Sequence, residues 1–143
     1  MIGSSMHLRW VVCCALAFSA AALGCGKKGP KLYPVKGQVF FMDQPAAGAQ
    51  VVFQPTGGAN AEAGIASGTV GPDGSFALST YPHGDGAVAG EYNVVVTWMP
   101  ENARELDNPK NKLPAKYADS NNPVLKATVK EEANEVPPFR LTK

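Results

Sequence analysis

Between Val35 and Leu141 apolar residues recur at every second position in short runs, and Gly, Pro, Asn and Asp fill the intervals. A period of two belongs to strands that bury one face and wet the other. In VKGQVFFM, Val35, Gly37, Val39 and Phe41 share a face; in AQVVFQ, Ala49, Val51 and Phe53 point one way while Gln50, Val52 and Gln54 point the other. AGIASGTV is a weaker run, with small Ala66 and Gly68 ahead of Val70, and SFALST offers Phe76 and Leu78. EYNVVVTW sets Tyr92, Val94, Val96 and Trp98 against Asn93, Val95 and Thr97. VLKATVK contributes Leu125, Ala127 and Val129, and a last run ends in Phe139 and Leu141. The pattern predicts an all-β domain of seven short strands, closed as an antiparallel, Ig-like β-sandwich in which each sheet hides its apolar face on the other.

The intervals carry turn chemistry. MDQPAAG after the first run and GPDG at Gly71 to Gly74 place Pro, Asp and Gly where a reversal needs a fixed φ, a side-chain cap or a positive φ. Asp73–Gly74 is also a hairpin signal. As a calcium ligand Asp73 would need acidic residues at alternate positions after it, and none follow. In EVPPF, Pro137 and Pro138 remove two ladder donors, so the last strand begins late or lies at an edge.

One stretch departs from this rhythm. After His7 and Arg9, WVVCCALAFSAAALG runs from Trp10 to Gly24 without a charge and then gives way to CGKKGPK. A membrane-crossing helix wants about 20 apolar residues, so the run has the length of a signal peptide. AALGC resembles the cleavage signal of bacterial lipoproteins, with small Gly24 before Cys25 and Leu23 and Ala22 ahead of it, although Ala22 stands where the strongest examples carry leucine. Cys13 and Cys14 compete poorly, because Val12 is branched where a small residue is needed. The resemblance implies a signal peptide over 1–24, a diacylglyceryl-modified and usually N-acylated Cys25, a tether over 25–33 and a domain over 34–143. Ordinary cleavage near Ala22 or Gly24, leaving Cys25 as a free thiol, is the alternative. Two or three acyl chains suffice for stable anchoring, at about 0.8 kcal/mol per buried methylene. Gly26 after the cysteine implies, by the same resemblance, sorting to the outer membrane of the cell envelope. Lys27, Lys28 and Lys31 form a solvated tether by default, or touch anionic head groups for about 1 kcal/mol each.

Removal of the leader changes the chemistry that remains. Two of the three cysteines leave and the third carries lipid, so no disulfide forms within one chain. The thirteen basic residues less Arg9 balance twelve acidic ones. With no basic stripe, nucleic acid is excluded as a partner, since its binding rests on phosphate neutralisation.

Three segments in order carry a further resemblance: VKGQVFFMDQPAAGAQVVFQP, then ASGTVGPDGSFALSTYPHGDGAVAGEYNVVVTW, then LPAKYADSNNPVLKATVKEEANEVPPFRL. They resemble the small bacterial lipoproteins built on the carboxypeptidase regulatory-like, or transthyretin-like, β-sandwich, over nearly all of Pro34 to Leu141. The resemblance implies fold and export; such domains mostly serve as spacers or interaction modules.

Candidate chemistry is sparse. A nucleophilic triad needs a histidine oriented by an acid and within reach of a serine or cysteine. Beyond the leader there is only His83, with Asp85 two residues on in the glycine-rich TYPHGDG. Neither a catalytic role nor a zinc site is favoured there, because three or four ligands would have to come largely from carboxylates. The plainer reading is a loop histidine beside an aspartate that caps its own turn. No cofactor is expected. Trp98 shares parity with Tyr92, Val94 and Val96 and is assigned to the core. Tyr81, Tyr117 and Phe40 are the rings available for an exposed, possible binding patch. Phe40 and Met42 lie opposite Val39 and Phe41, either as an open apolar strip or under the connection from Met99 to Asp119, which is the favoured cover. In that long loop LPAKY reads as an anchor that lays Leu113 and Tyr117 on the sandwich, with a binding role for the loop left open.

The expected function is therefore a non-catalytic, lipid-anchored envelope module that acts as a spacer or contacts an envelope protein. A carbohydrate or envelope-polymer binding module is the second reading, resting on Tyr81 and Tyr117. An enzyme using His83 or Asp85 is the third.

Overall fold

A computed structural model describes residues 29–81 and 85–143. The expected signal peptide over 1–24, Cys25, Lys27, Lys28 and His83 lie outside the described residues. In chain order the strands are β1 (Leu32–Tyr33), β2 (Val35–Phe41), β3 (Gln44–Pro45), β4 (Gln50–Pro55), β5 (Ala66–Thr69), β6 (Ser75–Ala77), β7 (Ala87–Val88), β8 (Gly90–Thr97), β9 (Leu125–Val129), β10 (Asn134–Glu135) and β11 (Phe139–Leu141). Short 3-10 turns occupy Gly58–Ala63, Ala103–Glu105 and Ala115–Tyr117.

Apart from a two-stranded β1–β7 ladder, the strands form two sheets packed face to face, an all-β sandwich. One sheet runs β5-β4-β8-β9 and is antiparallel throughout. Val51 of β4 lies opposite Gly68 on one side and Val96 on the other, so the alternation read in AQVVFQ and EYNVVVTW falls on one face. The other sheet is built around β2. β6 and β3 run antiparallel along one edge of β2, and β10 and β11 run along its other edge. Here the expectation of a wholly antiparallel sandwich is corrected: β10 and β11 are parallel to β2. They act as a single strand with a bulge, since Asn134 pairs with Val35 but Phe139 pairs with Val39, leaving one extra residue at Val136–Pro138. The two prolines sit where a ladder bond is already interrupted.

Each of the seven expected runs contains a strand, and β1, β3, β7 and β10 are two-residue additions. Within the segment expected as a tether, Leu32 and Tyr33 of β1 pair with Val88 and Ala87. The sheets join on one side, where Ser67 and Ser79 exchange backbone hydrogen bonds of 2.9 and 2.8 Å. On the opposite side β9 pairs with β8, β10 and β11 pair with β2, and neither ladder reaches the other.

The inward residues are those the period assigns. Val39, Ala49, Val51, Phe53, Leu78 and Val96 are fully buried. Phe53 sits among the rings of Tyr92, Phe76 and Phe139 at centroid distances of 5.7, 6.4 and 6.4 Å. Gly37 makes room for part of this cluster: a Cβ there would lie 2.6 Å from Phe76 Cζ and 2.5 Å from Val136 Cγ2. Phe76 packs over its cross-strand glycine and stacks on Phe139 at 6.3 Å.

Candidate functional site: two ends and an open edge

β2 separates the two ends of the sandwich. Its seven residues span about 20 Å at roughly 3.3 Å per step. At the end near Val35 the chain comes in through β1, and Gly86 and Ala87 lie beside it. The Asp85 carboxylate accepts from the Thr80 amide at 2.8 Å and the Tyr81 amide at 3.0 Å, while the Thr80 hydroxyl donates to the Gly86 carbonyl at 2.8 Å. Asp85 thus caps its own turn. Gly86 has φ +94° and meets the Tyr33 backbone so closely that an added Cβ would overlap the Tyr33 carbonyl oxygen. Tyr81 is 51% exposed.

The same end holds a buried polar node that nothing in the alternation of the sequence marks. Asn60, within TGGANAEAG, is 2% exposed and donates its side-chain amide to the Glu91 carbonyl at 2.9 Å. That carbonyl also accepts from the Thr56 amide and hydroxyl, each at 3.1 Å. The Tyr92 hydroxyl donates to the Val88 carbonyl at 2.7 Å. Burial pushes the Tyr92 phenol above its ordinary value, against hydrogen bonds with Asn60 and Val88 that pull it down. Asn60 packs on Gly90, where a Cβ would lie 2.6 Å from its Nδ2. The node clamps the 56–63 segment onto the start of β8.

The far end carries Trp98, Met42 and the long loop. Trp98 meets Phe41 edge to face at 6.4 Å and donates its indole N–H to the Ala47 carbonyl at 2.8 Å. The Lys112 ammonium lies 4.8 Å from the Trp98 ring centroid, and Asn111 accepts from the Trp98 and Leu113 amides at 2.9 and 3.1 Å. The connection therefore ties itself back to the end of β8 and leaves Met99 and Leu106 exposed on its excursion. The Ala115–Tyr117 turn then brings Tyr117 into the core at 7% exposure, its oxygen accepting from the Thr142 amide at 3.0 Å. Burial alone would raise the Tyr117 phenol; the Thr142 bonds and the Lys116 charge outweigh it and leave it below its ordinary value.

Two expectations are corrected here. Tyr117 is an anchor, as LPAKY suggests, and is withdrawn from any exposed patch; Tyr81 and Tyr117 stand at opposite ends. The 99–119 connection is also not the cover of the Phe40 and Met42 strip. Phe40 lies under the Arg140 guanidinium at 5.4 Å, held there by the parallel register of β11, and Met42 is exposed. Cross-strand register, which a single run does not encode, produces that cover.

Met42 and Asp43 form the two-residue turn between β2 and β3, with φ of +50° and +63°. Such a turn favours Asn-Gly, and for other residues the left-handed region costs about 1–2 kcal/mol. Arg140 bridges Asp43 at 3.2 Å, between side chains so exposed that the pair contributes little.

Along the open edge lies a groove of about 630 Å³ whose lips are β9, with Lys126 and Lys130, and the 132–139 segment, with Glu132, Glu135 and Phe139. Leu125 and Ala127 face inward here and are only partly covered. Among the described residues no group of three or more His, Cys, Asp or Glu is placed to hold a metal ion.

No family model matches the chain, and no curated protein matches it. Among solved structures it is similar to a DUF3823 family protein from Parabacteroides merdae, with a TM-score of 0.41 and 17% identity over 79% of this chain and 47% of that one. The chain thus spans about half the length of that protein.

Proposed function

We propose that the protein is a non-catalytic, exported lipoprotein, anchored through acylated Cys25, whose transthyretin-like β-sandwich holds its far end away from the membrane for contact with an envelope protein. The lipobox-like AALGC and the ordered carboxypeptidase regulatory-like segments support the address and the family of the fold. The observation that carries the contact reading is Met42. A methionine occupies a left-handed turn position that prefers asparagine or glycine, and its side chain is exposed rather than packed. Backbone strain of this kind persists where the residue is useful for something other than folding. Methionine is a flexible, polarisable side chain suited to contact surfaces. Met99 and Leu106 add exposed apolar area at the same end, about 20 Å along β2 from the point where the chain comes in.

The test uses Met42→Asn, which suits the turn, alone and together with Met99→Ser and Leu106→Ser. The single variant is expected to gain up to about 1 kcal/mol in stability. The triple variant is expected to lose a protein that the anchored parent captures from envelope fractions and that Tyr81→Ser still captures. Equal capture by parent and triple variant, with both folded, overturns the far-end assignment. Among the described residues the envelope-polymer reading keeps Tyr81 as its exposed ring, since Tyr117 is buried.

A further inference from the structure

We propose that the near end of the sandwich is itself a membrane-contacting face, with Ile65 and Tyr81 seated among lipid head groups beside Lys31. This rests on the reading of Cys25 as an acylated anchor. The Ser67–Ser79 bridge is antiparallel, so Ile65 and Tyr81, each two residues further out, lie at the same end of the body. They are 55% and 51% exposed, the near-end counterpart of the far-end apolar group. Neither is carried on slack backbone. Ile65 adjoins β5, and the Tyr81 amide is held by the Asp85 carboxylate.

The chain comes in at the same end as this pair. β1 pairs with β7, Gly86 donates its amide to the Leu78 carbonyl at 3.0 Å, and Lys31 stands at the start of β1 with its ammonium 5.0 Å from the Tyr33 ring centroid. From Cys25 to Lys31 is six residue steps, about 20 Å at full extension, so this end stays within reach of the bilayer surface. Tyrosine and aliphatic side chains favour that interface, where one part of the ring is apolar and the hydroxyl stays wet. Two such residues bind a membrane weakly by themselves. Tethering makes the contact intramolecular, so weak affinity suffices.

The charge at this end is mixed. Lys31 and Lys130 are offset by Glu91, Glu131 and Glu132, all exposed, so the contact is apolar in origin, persists in salt and needs no anionic lipid.

The test uses the lipidated product beginning at Cys25, whose thiol is blocked, with single Ile65→Cys, Tyr81→Cys or Leu106→Cys substitutions labelled with an environment-sensitive fluorophore. In vesicles of zwitterionic lipid the probes at 65 and 81 are expected to shift to the blue and be quenched by head-group-proximal spin-labelled lipid. The probe at 106 is expected to do neither, and added salt to leave the pattern unchanged. A second arm holds the chain from Gly26 on nickel-chelating lipid through an amino-terminal histidine tag. Quenching in that arm, whose chain lacks Cys25, supports the contact independently of the acyl anchor. Probes at 65 and 81 that are as solvent-exposed as the one at 106 in both arms overturn the proposal.

Discussion

Asn60 donates its side-chain amide to the Glu91 carbonyl at 2.9 Å, directly over Gly90, where no side chain intervenes. Thr56 also serves that carbonyl, so Asn60→Ala does not orphan it. The expected loss is about 1–2 kcal/mol, from one hydrogen bond and a small void. Gly90→Ala should cost at least as much, because its Cβ would displace Asn60 and φ there is +149°. Denaturant melts of both variants and of the double variant check this. Fully additive losses contradict a shared node.

Tyr92→Phe removes the bond to Val88 and is expected to cost about 1–2 kcal/mol at neutral pH. It also tests a pH dependence. The folded phenol lies above its ordinary 10.0, chiefly through burial, so folding favours the neutral form. Stability from this group is fully present below 10.0 and declines as pH rises through the folded value. Alkaline melts of the parent should show that decline, and Tyr92→Phe should lack this part of it.

Asp73 shows the opposite dependence. The Ser75 hydroxyl and amide donate to its carboxylate at 2.7 and 3.1 Å and hold its pKa below 3.8, the hydroxyl bond being the larger cause. Its contribution is present above 3.8 and is lost as pH falls through the folded value. The melting temperature of Asp73→Asn should therefore lie below that of the parent at neutral pH and converge with it on acidification. A gap that stays constant through 3.8 argues against the turn bonds as the cause.

Gly86→Ala places a Cβ against the Tyr33 carbonyl at a positive φ and should cost about 2 kcal/mol or more. Its signature is local: amide exchange at Leu32, Tyr33 and Val88 should speed up more than at Val51 or Val96. Uniform acceleration across both sheets would show that β1–β7 is not a separately released element.

Parity along the runs was enough to find the core. Val51, Phe53, Tyr92 and Val94 are buried as the alternation requires, and LPAKY anchors Leu113 and Tyr117. Long-range register was not legible. Nothing in the run ending at Leu141 says that it joins β2 in parallel, and that pairing brings Arg140 over Phe40. β1 leaves no mark in the sequence because a two-residue ladder has no period, and Asn60 leaves none because its role depends on a carbonyl 31 residues away.

Presentation from a membrane requires the anchor, so the mass of the exported chain's first residue tests the account most directly. Intact-mass spectrometry of protein purified from the membranes of a bacterial host is expected to show a chain beginning at Cys25 with diacylglyceryl and N-acyl mass. Cys25→Ala should abolish both the added mass and the membrane association. A chain that begins near Cys25 without lipid mass, or that retains its leader, would contradict the account.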